Sequence, residues 1–115
     1  MTSPTGEPVA STASVGTERA GRYGKQLVAH LSRRSAGEWD EQGGTGWIDF
    51  GETRAELSAG PAALDLRLSA APDALDRMED VVGRHLVRFG ARDELIVQWV
   101  RADGSPGTRQ ENAEG

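Results

Sequence analysis

Two amphipathic helical patterns, each ending in His-Leu-x-Arg, enclose a run of short alternating segments, and this arrangement restricts the chain to one class of fold. Apolar residues recur with a period near 3.6 over residues 18–34, and again in a second segment that ends at Phe89. The clearest alternating segment has leucine at every second position, Leu64, Leu66 and Leu68. Each helix and each strand therefore has one apolar side to bury.

The order of these elements predicts the fold class. A strand over residues 9–15 precedes the first helix, four strand patterns lie between the two helices, and a last strand covers residues 95–100. The order β-α-β-β-β-β-α-β, with short turns between strands, predicts an α+β domain in which an antiparallel sheet carries both helices on one face. The open face would then be mostly polar and solvated, with these side chains: Trp47, Asp49, Arg54, Glu56, Asp65 and Arg67.

Composition limits the domain organisation and the location. A chain of 115 residues supports one domain, which we assign to residues 9–102. Residues 1–8 and 103–115 contain almost nothing to bury, so we expect two disordered tails. The net charge of −5 argues against a strongly basic nucleic-acid binder. The chain lacks cysteine, an apolar stretch of roughly 18 residues and a secretory signal pattern, so we expect a cytoplasmic protein with no membrane partner.

Candidate ligand-binding residues cluster on the first helix. Arg19, Gln26 and His30 lie beside its apolar stripe, and Arg22 flanks them. Because an arginine fork recognises carboxylate or phosphate, this surface is suited to an anionic small molecule or an acidic protein partner. The same pattern is also typical of a solvated helix flank whose histidine interacts with the helix dipole.

The two histidines, His30 and His85, are the only ones in the chain. Either could act as a general base in a small enzyme, although a histidine on an apolar stripe is more often part of the core. Two histidines on neighbouring helices could bind zinc or copper, but no HxxxH or HxH spacing supports a metal site. We therefore predict no metal and no cofactor, and the spacing indicates no nucleophile–base pair.

Two motifs resemble those of a known family. Residues 19–30 read R-x-x-R-Y-x-x-Q-L-x-x-H, and residues 81–89 read V-V-x-x-H-L-x-R-F. Over residues 10–99 the chain is similar to the bacterial family called domain of unknown function 2218. It departs from that family in its two longer tails and at Gly24, where similar proteins usually carry a larger residue. That family has no assigned activity, and its domains sometimes occur with siderophore-interacting, flavin-dependent ferric reductases. The resemblance therefore implies an accessory role in bacterial iron handling.

The leading functional hypothesis is a small bacterial binding or accessory module without catalytic activity. Its ligand site would comprise the polar side chains that also carry the resemblance: Arg19, Arg22, Tyr23, Gln26, His30 and His85. Two alternatives stay open: a small enzyme that uses His30 or His85 as general base, and a structural protein-interaction domain, for example a homodimer formed through the open face around Trp47. The sequence does not predict the oligomeric state.

Overall fold

One antiparallel sheet runs through residues 8–111, the part of the chain that this computed structural model describes. Two α-helices lie against it, and a short 3-10 turn follows each helix. No helix within the described range is both long enough and apolar enough to cross a membrane. The elements, in chain order, are β1 (Val9–Gly16), α1 (Ala20–Leu31), β2 (Ala36–Asp40), β3 (Thr45–Asp49), β4 (Arg54–Ala59), β5 (Ala63–Ala70), α2 (Leu75–Phe89), β6 (Ile96–Arg101) and β7 (Pro106–Glu111).

The strand order across the sheet is β2-β3-β4-β5-β1-β6-β7, and every neighbouring pair is antiparallel. The four middle strands of the chain form the meander that short turns predict, and β1 is inserted between β5 and β6. Helix α1 packs on β2, β3, β4 and β5, whereas α2 packs on β5, β1, β6 and β7. The α+β class, with both helices packed against an antiparallel sheet, is therefore confirmed.

The core forms where the apolar sides of strands and helices meet. On β5, Leu64 and Leu68 are completely buried, and Leu27 of α1 and Leu86 of α2 are completely buried opposite the sheet. Burying one leucine side chain stabilises the fold by about 1.5–3 kcal/mol relative to leaving it in water. The two sequence periods, 2 in the strands and 3.6 in the helices, thus converge on one apolar layer.

Close packing around Trp39 requires a glycine on the inner side of α1. The Trp39 indole lies between α1 and β3, in a gap lined by Gly24 and Gly46. A Cβ atom at Gly24 would lie 2.6 Å from the indole Cη2, and one at Gly46 would lie 2.5 Å from its Cε3. A larger residue at position 24 would displace this indole, so the small residue and the tryptophan belong together.

Strand β7 differs from the sequence prediction, which assigns residues 103–115 to a disordered tail. Residues 106–111 instead pair with β6 and pack against α2. Their buried partners are polar: Trp99 donates from Nε1 to Gln110 Oε1 at 2.8 Å, and Thr108 donates from Oγ1 to Glu79 Oε1 at 2.9 Å. Polar pairing of this kind leaves no apolar alternation to detect. Apart from Pro8, the predicted N-terminal tail lies outside the described residues, as do residues 112–115.

Candidate functional site

The start of α1 meets the end of α2 through an acidic side chain, Asp93, in the turn that follows α2. The Tyr23 hydroxyl donates a hydrogen bond to Asp93 Oδ2 at 2.6 Å, and Arg19 Nη1 lies 3.4 Å from the same oxygen. Tyr23 is buried, whereas the Arg19 side chain is 60% exposed. Asp93 was not predictable as part of this contact, because an acidic residue in a short turn has no periodic pattern around it.

The Tyr23 phenol is held as a hydrogen-bond donor. Its hydrogen bond to the Asp93 carboxylate raises the pKa of Tyr23, burial and the Asp93 charge raise it further, and Arg19 lowers it in part. A phenol with a raised pKa stays protonated near neutral pH, which makes it poorly suited to act as a general base. The contact therefore joins the two helices and leaves no reactive phenolate.

The two histidines meet farther along the same helix pair. Their ring centroids are 4.9 Å apart, and Phe89 stands edge-on to His30 with centroids 5.5 Å apart. His85 Nδ1 lies 2.7 Å from the Val81 carbonyl oxygen. Since a carbonyl can only accept, we assign the proton to Nδ1, which leaves Nε2 with a free lone pair when the ring is neutral. Burial lowers the pKa of His30, and the charges of His85 and Arg33 lower it further.

The six side chains predicted as a ligand site do not form a single enclosed cluster. Tyr23 and Arg19 meet at Asp93, and the two histidines meet each other, but these are separate contacts along the helix pair. The remaining two members, Arg22 and Gln26, are exposed on α1. Their role in binding stays a prediction.

A depression of about 1090 Å³ lies on the opposite, open face of the sheet, and none of the six predicted residues lines it. It extends across β1 to β5. Five of the six side chains that the strand alternation assigns to the open face line it, and Asp49 is the exception. The side chains that strand alternation directs into it are Thr12, Ser14, Glu38, Asp40, Thr45, Trp47, Arg54, Glu56, Ser58, Asp65 and Arg67.

The centre of this depression is a row of paired side chains. Strand register sets Trp47 opposite Glu56 and Glu56 opposite Arg67. The Arg54 guanidinium lies 4.8 Å from the centroid of the Trp47 ring, and its Nε is 3.4 Å from Glu56 Oε2. The cation–π contact contributes about 0.5–1 kcal/mol at an exposed site, enough to favour one orientation of the indole. Four carboxylates and two guanidinium groups line the depression, so its net charge is negative.

A buried carboxylate on α2, Glu79, was not singled out by sequence analysis. It is completely buried and accepts hydrogen bonds from Ser11 Oγ at 2.6 Å, from the Thr108 backbone N–H at 2.8 Å and from Arg101 Nη2 at 3.2 Å. Arg101 also pairs with Asp76 at the surface. Burial raises the pKa of Glu79, but the hydrogen bonds from Arg101, Ser11 and Thr108 outweigh it and the pKa is lowered. Glu79 thus stays ionised and ties α2 to three strands.

The described residues contain no group of three or more His, Asp or Glu side chains arranged to hold a metal ion. The Tyr23, histidine and Glu79 contacts each join α2, or the turn after it, to another element. The depression on the open face is the place where several unlike polar groups and an aromatic ring face a shared volume. It is therefore the best-formed candidate binding site.

Comparisons with known proteins agree with the fold. The family model described as an uncharacterised protein conserved in bacteria, DUF2218, matches residues 12–100. The NMR structure of PA4090 from Pseudomonas aeruginosa is similar: the two chains are 36% identical, the match covers 70% of this chain and 83% of that chain, and the TM-score is 0.58. No curated protein matches the sequence.

Proposed function

This chain belongs to the DUF2218 family of bacterial proteins, and from that starting point we propose that it is a small binding module whose ligand lies in the depression on the open face of the sheet. The observation that carries the proposal is the arrangement of Trp47 beneath Arg54 inside a concave volume of about 1090 Å³. Small-molecule sites commonly enclose about 300–1,000 Å³ and combine aromatic surface with a few fixed polar groups.

The ligand class follows from the charges and hydrogen-bonding groups of the depression. Carboxylates outnumber guanidinium groups there, which disfavours an anion, and Arg54 already covers one face of the Trp47 ring, which disfavours a cation stacked on that face. Carboxylates, serine and threonine hydroxyls and guanidinium groups together accept and donate hydrogen bonds. This combination suits a neutral, hydroxyl-rich molecule such as a pyranoside, whose C–H face would pack on the part of the Trp47 indole that Arg54 leaves uncovered.

A second candidate site is the exposed surface of α1, where Arg22 and Gln26 lie in the neighbourhood of the half-buried His30. An anionic small molecule or an acidic protein partner would bind there. Arg19 would contribute less to anion binding than its position on α1 suggests, because it is already paired with Asp93. A link to iron–siderophore chemistry rests on the family resemblance alone, and a ferric siderophore is therefore one of the probes.

The test is a titration of the ¹⁵N-labelled full chain, followed by amide NMR, with neutral mono- and disaccharides, with citrate and phosphate, and with a ferric hydroxamate siderophore. We expect a saccharide to shift amides of β3, β4 and β5 around Trp47. The Trp47→Ala variant should weaken that binding at least tenfold, whereas Trp47→Phe should retain most of it because a flat aromatic surface remains.

The matched control is Asp49→Ala, which changes a partly exposed side chain of the same strand and face that does not line the depression. It should leave saccharide affinity within about twofold, because the hydrogen bond that Asp49 accepts from the Gly51 N–H in the turn after β3 lies outside the depression. If none of the probes shifts the open face, the proposal is wrong. Shifts confined to α1 with the anionic probes or the siderophore would replace it with the second candidate.

A further inference from the structure

The two histidines approach each other at the separation expected for two ligands of one metal ion. A histidine nitrogen binds Zn²⁺ at about 2.0–2.1 Å, which sets the ring centroid about 3.2 Å from the metal. Two such rings in neighbouring coordination positions, at angles of about 90–110°, have centroids roughly 4.5–5.2 Å apart. The centroids of His30 and His85 are 4.9 Å apart, within that range.

The hydrogen bond of His85 also fits the geometry of a metal-binding histidine. Its Nδ1 lies 2.7 Å from the Val81 carbonyl oxygen, so that nitrogen donates and Nε2 carries the free lone pair. Metal-binding histidines usually donate their second ring N–H to a carbonyl or a carboxylate, which fixes the tautomer and the ring orientation. The Val81 carbonyl lies one helical turn before His85 on α2, and this hydrogen bond would fix the orientation of the imidazole before a metal ion binds.

The histidine pair is both accessible to solvent and supported by a neighbouring ring. Both imidazoles are only half-buried, so water or another small ligand can complete a coordination shell. On another side, the Phe89 ring stands edge-on to His30 at an interplanar angle of 81° and limits the movement of that imidazole. The site has two protein ligands and an accessible side, a composition that favours exchangeable rather than permanent metal binding.

We propose that His30 and His85, brought together across the α1–α2 contact, bind one borderline divalent transition-metal ion, Zn²⁺ or Cu²⁺, with water in the remaining positions. Imidazole ligands prefer these ions to Mg²⁺ or Ca²⁺, and Cu²⁺ should bind more tightly than Zn²⁺. The site lies on the helical layer and is independent of the ligand site proposed on the open face.

The chain suits a direct test because it has only these two histidines and no cysteine. The full chain, without an affinity tag, is titrated separately with ZnCl₂, CuCl₂ and MgCl₂, and affinity is measured by calorimetry. We expect one equivalent of Zn²⁺ or Cu²⁺ to bind and Mg²⁺ not to bind. His30→Gln and His85→Gln should each weaken Zn²⁺ binding at least tenfold, and the double variant should lose it. Gly21→Ala, an exposed change on the same helix whose added Cβ meets no atom within 4 Å, should bind as the unsubstituted chain does.

A second measurement needs no substitution and so does not depend on how the variants fold. Substoichiometric Cu²⁺ should broaden the ring proton resonances of His30 and His85 before any others, because paramagnetic broadening falls steeply with distance. Broadening that begins at the amino terminus or at surface carboxylates would contradict the proposal, and so would a folded double variant that keeps its Zn²⁺ affinity. Saccharide titrations contain no metal, so this proposal and the one for the open face can fail separately.

Discussion

Removal of the charge of Glu79 should destabilise this fold more than any exposed substitution. The carboxylate is completely buried and accepts hydrogen bonds from three residues, Ser11, Thr108 and Arg101. Glu79→Gln keeps the volume but loses the charge, and its amide NH₂ would face donors where a carboxylate oxygen now accepts. We expect the protein to fold with a smaller free energy of unfolding.

The magnitude follows from the number and type of the broken contacts. A hydrogen bond to a charged group contributes about 1.5–3 kcal/mol, and breaking a buried ion pair by removing one partner costs about 3–5 kcal/mol. Glutamine retains part of the hydrogen bonding, and Arg101 remains partly solvated, with 29% of its side chain exposed. We therefore expect Glu79→Gln to lower the free energy of unfolding by about 3 kcal/mol, out of the roughly 5–15 kcal/mol typical of a single domain.

The effect should depend on pH in a definite direction. Because the pKa of Glu79 is lowered in the folded protein, its charge stabilises the fold above the pKa of the unfolded chain. That stabilisation is lost as the pH falls through the lower pKa of the folded state. The difference in stability between Glu79→Gln and the unsubstituted chain should therefore be complete at pH 7 and shrink only below about pH 4.3, the ordinary value for glutamate.

Urea denaturation followed by tryptophan fluorescence, repeated at several pH values, measures both quantities. The matched control is Asp80→Asn, which neutralises the neighbouring carboxylate in a surface pair with Arg84 and should cost about 0.3–0.5 kcal/mol. If Glu79→Gln unfolds at the same urea concentration as Asp80→Asn at pH 7, the buried network does not stabilise the fold as argued.

Three further substitutions test the packing of α1 by denaturant unfolding. Gly24→Ala forces a Cβ against the Trp39 indole and should cost about 1–3 kcal/mol, less the roughly 1 kcal/mol of helix propensity that alanine gains. At Gly21→Ala the added Cβ meets no atom within 4 Å, so this variant should stabilise the protein by about 0.5–1 kcal/mol. Equal effects of the two substitutions would contradict the close packing at Trp39. Tyr23→Phe removes the hydrogen bond to Asp93 and should lower the free energy of unfolding by about 1–2 kcal/mol, and an unchanged value would show that this contact is replaced by solvent.

The fold class was predictable because its signals are local. Leucine at 64, 66 and 68 marks one side of a strand, and the 3.6-residue period marks one side of each helix. Both patterns report burial over only a few residues, and together they require a sheet covered by two helices. The position of β1 between β5 and β6 was not predictable in the same way, since strand order depends on contacts between distant segments.

The candidate site was predictable only in part, for a related reason. Strand alternation correctly assigns Trp47, Arg54, Glu56 and Arg67 to the open face, but it does not show that this face is concave. The pairing of His30 with His85 follows once both helices share a face. The sequence did not indicate which polar side chains are hydrogen-bonded to other side chains within the protein. These internal hydrogen bonds determine which polar groups remain available to a ligand.

The missed contacts join residues that are far apart in the chain. The Ser11–Glu79 bond spans 68 residues and the Tyr23–Asp93 bond spans 70. Strand β7 also depends on such a pair, because Thr108 donates to Glu79, which lies 29 residues earlier in the chain. A buried polar group needs a partner but produces no periodic pattern, so composition made residues 103–115 resemble a tail although a strand forms there.

The same distinction explains why the open face is the better candidate for binding. On the helical side, Glu79, Tyr23 and Trp39 are committed to partners that hold the layers together, so a change there affects stability first. On the open face, Glu56 and Arg67 are exposed, and surface substitutions away from such networks usually change stability by less than about 0.5 kcal/mol. Substitutions on the open face can therefore change ligand binding without destabilising the core. A concave surface with that freedom is where a domain of this size can acquire specificity while its fold stays the same.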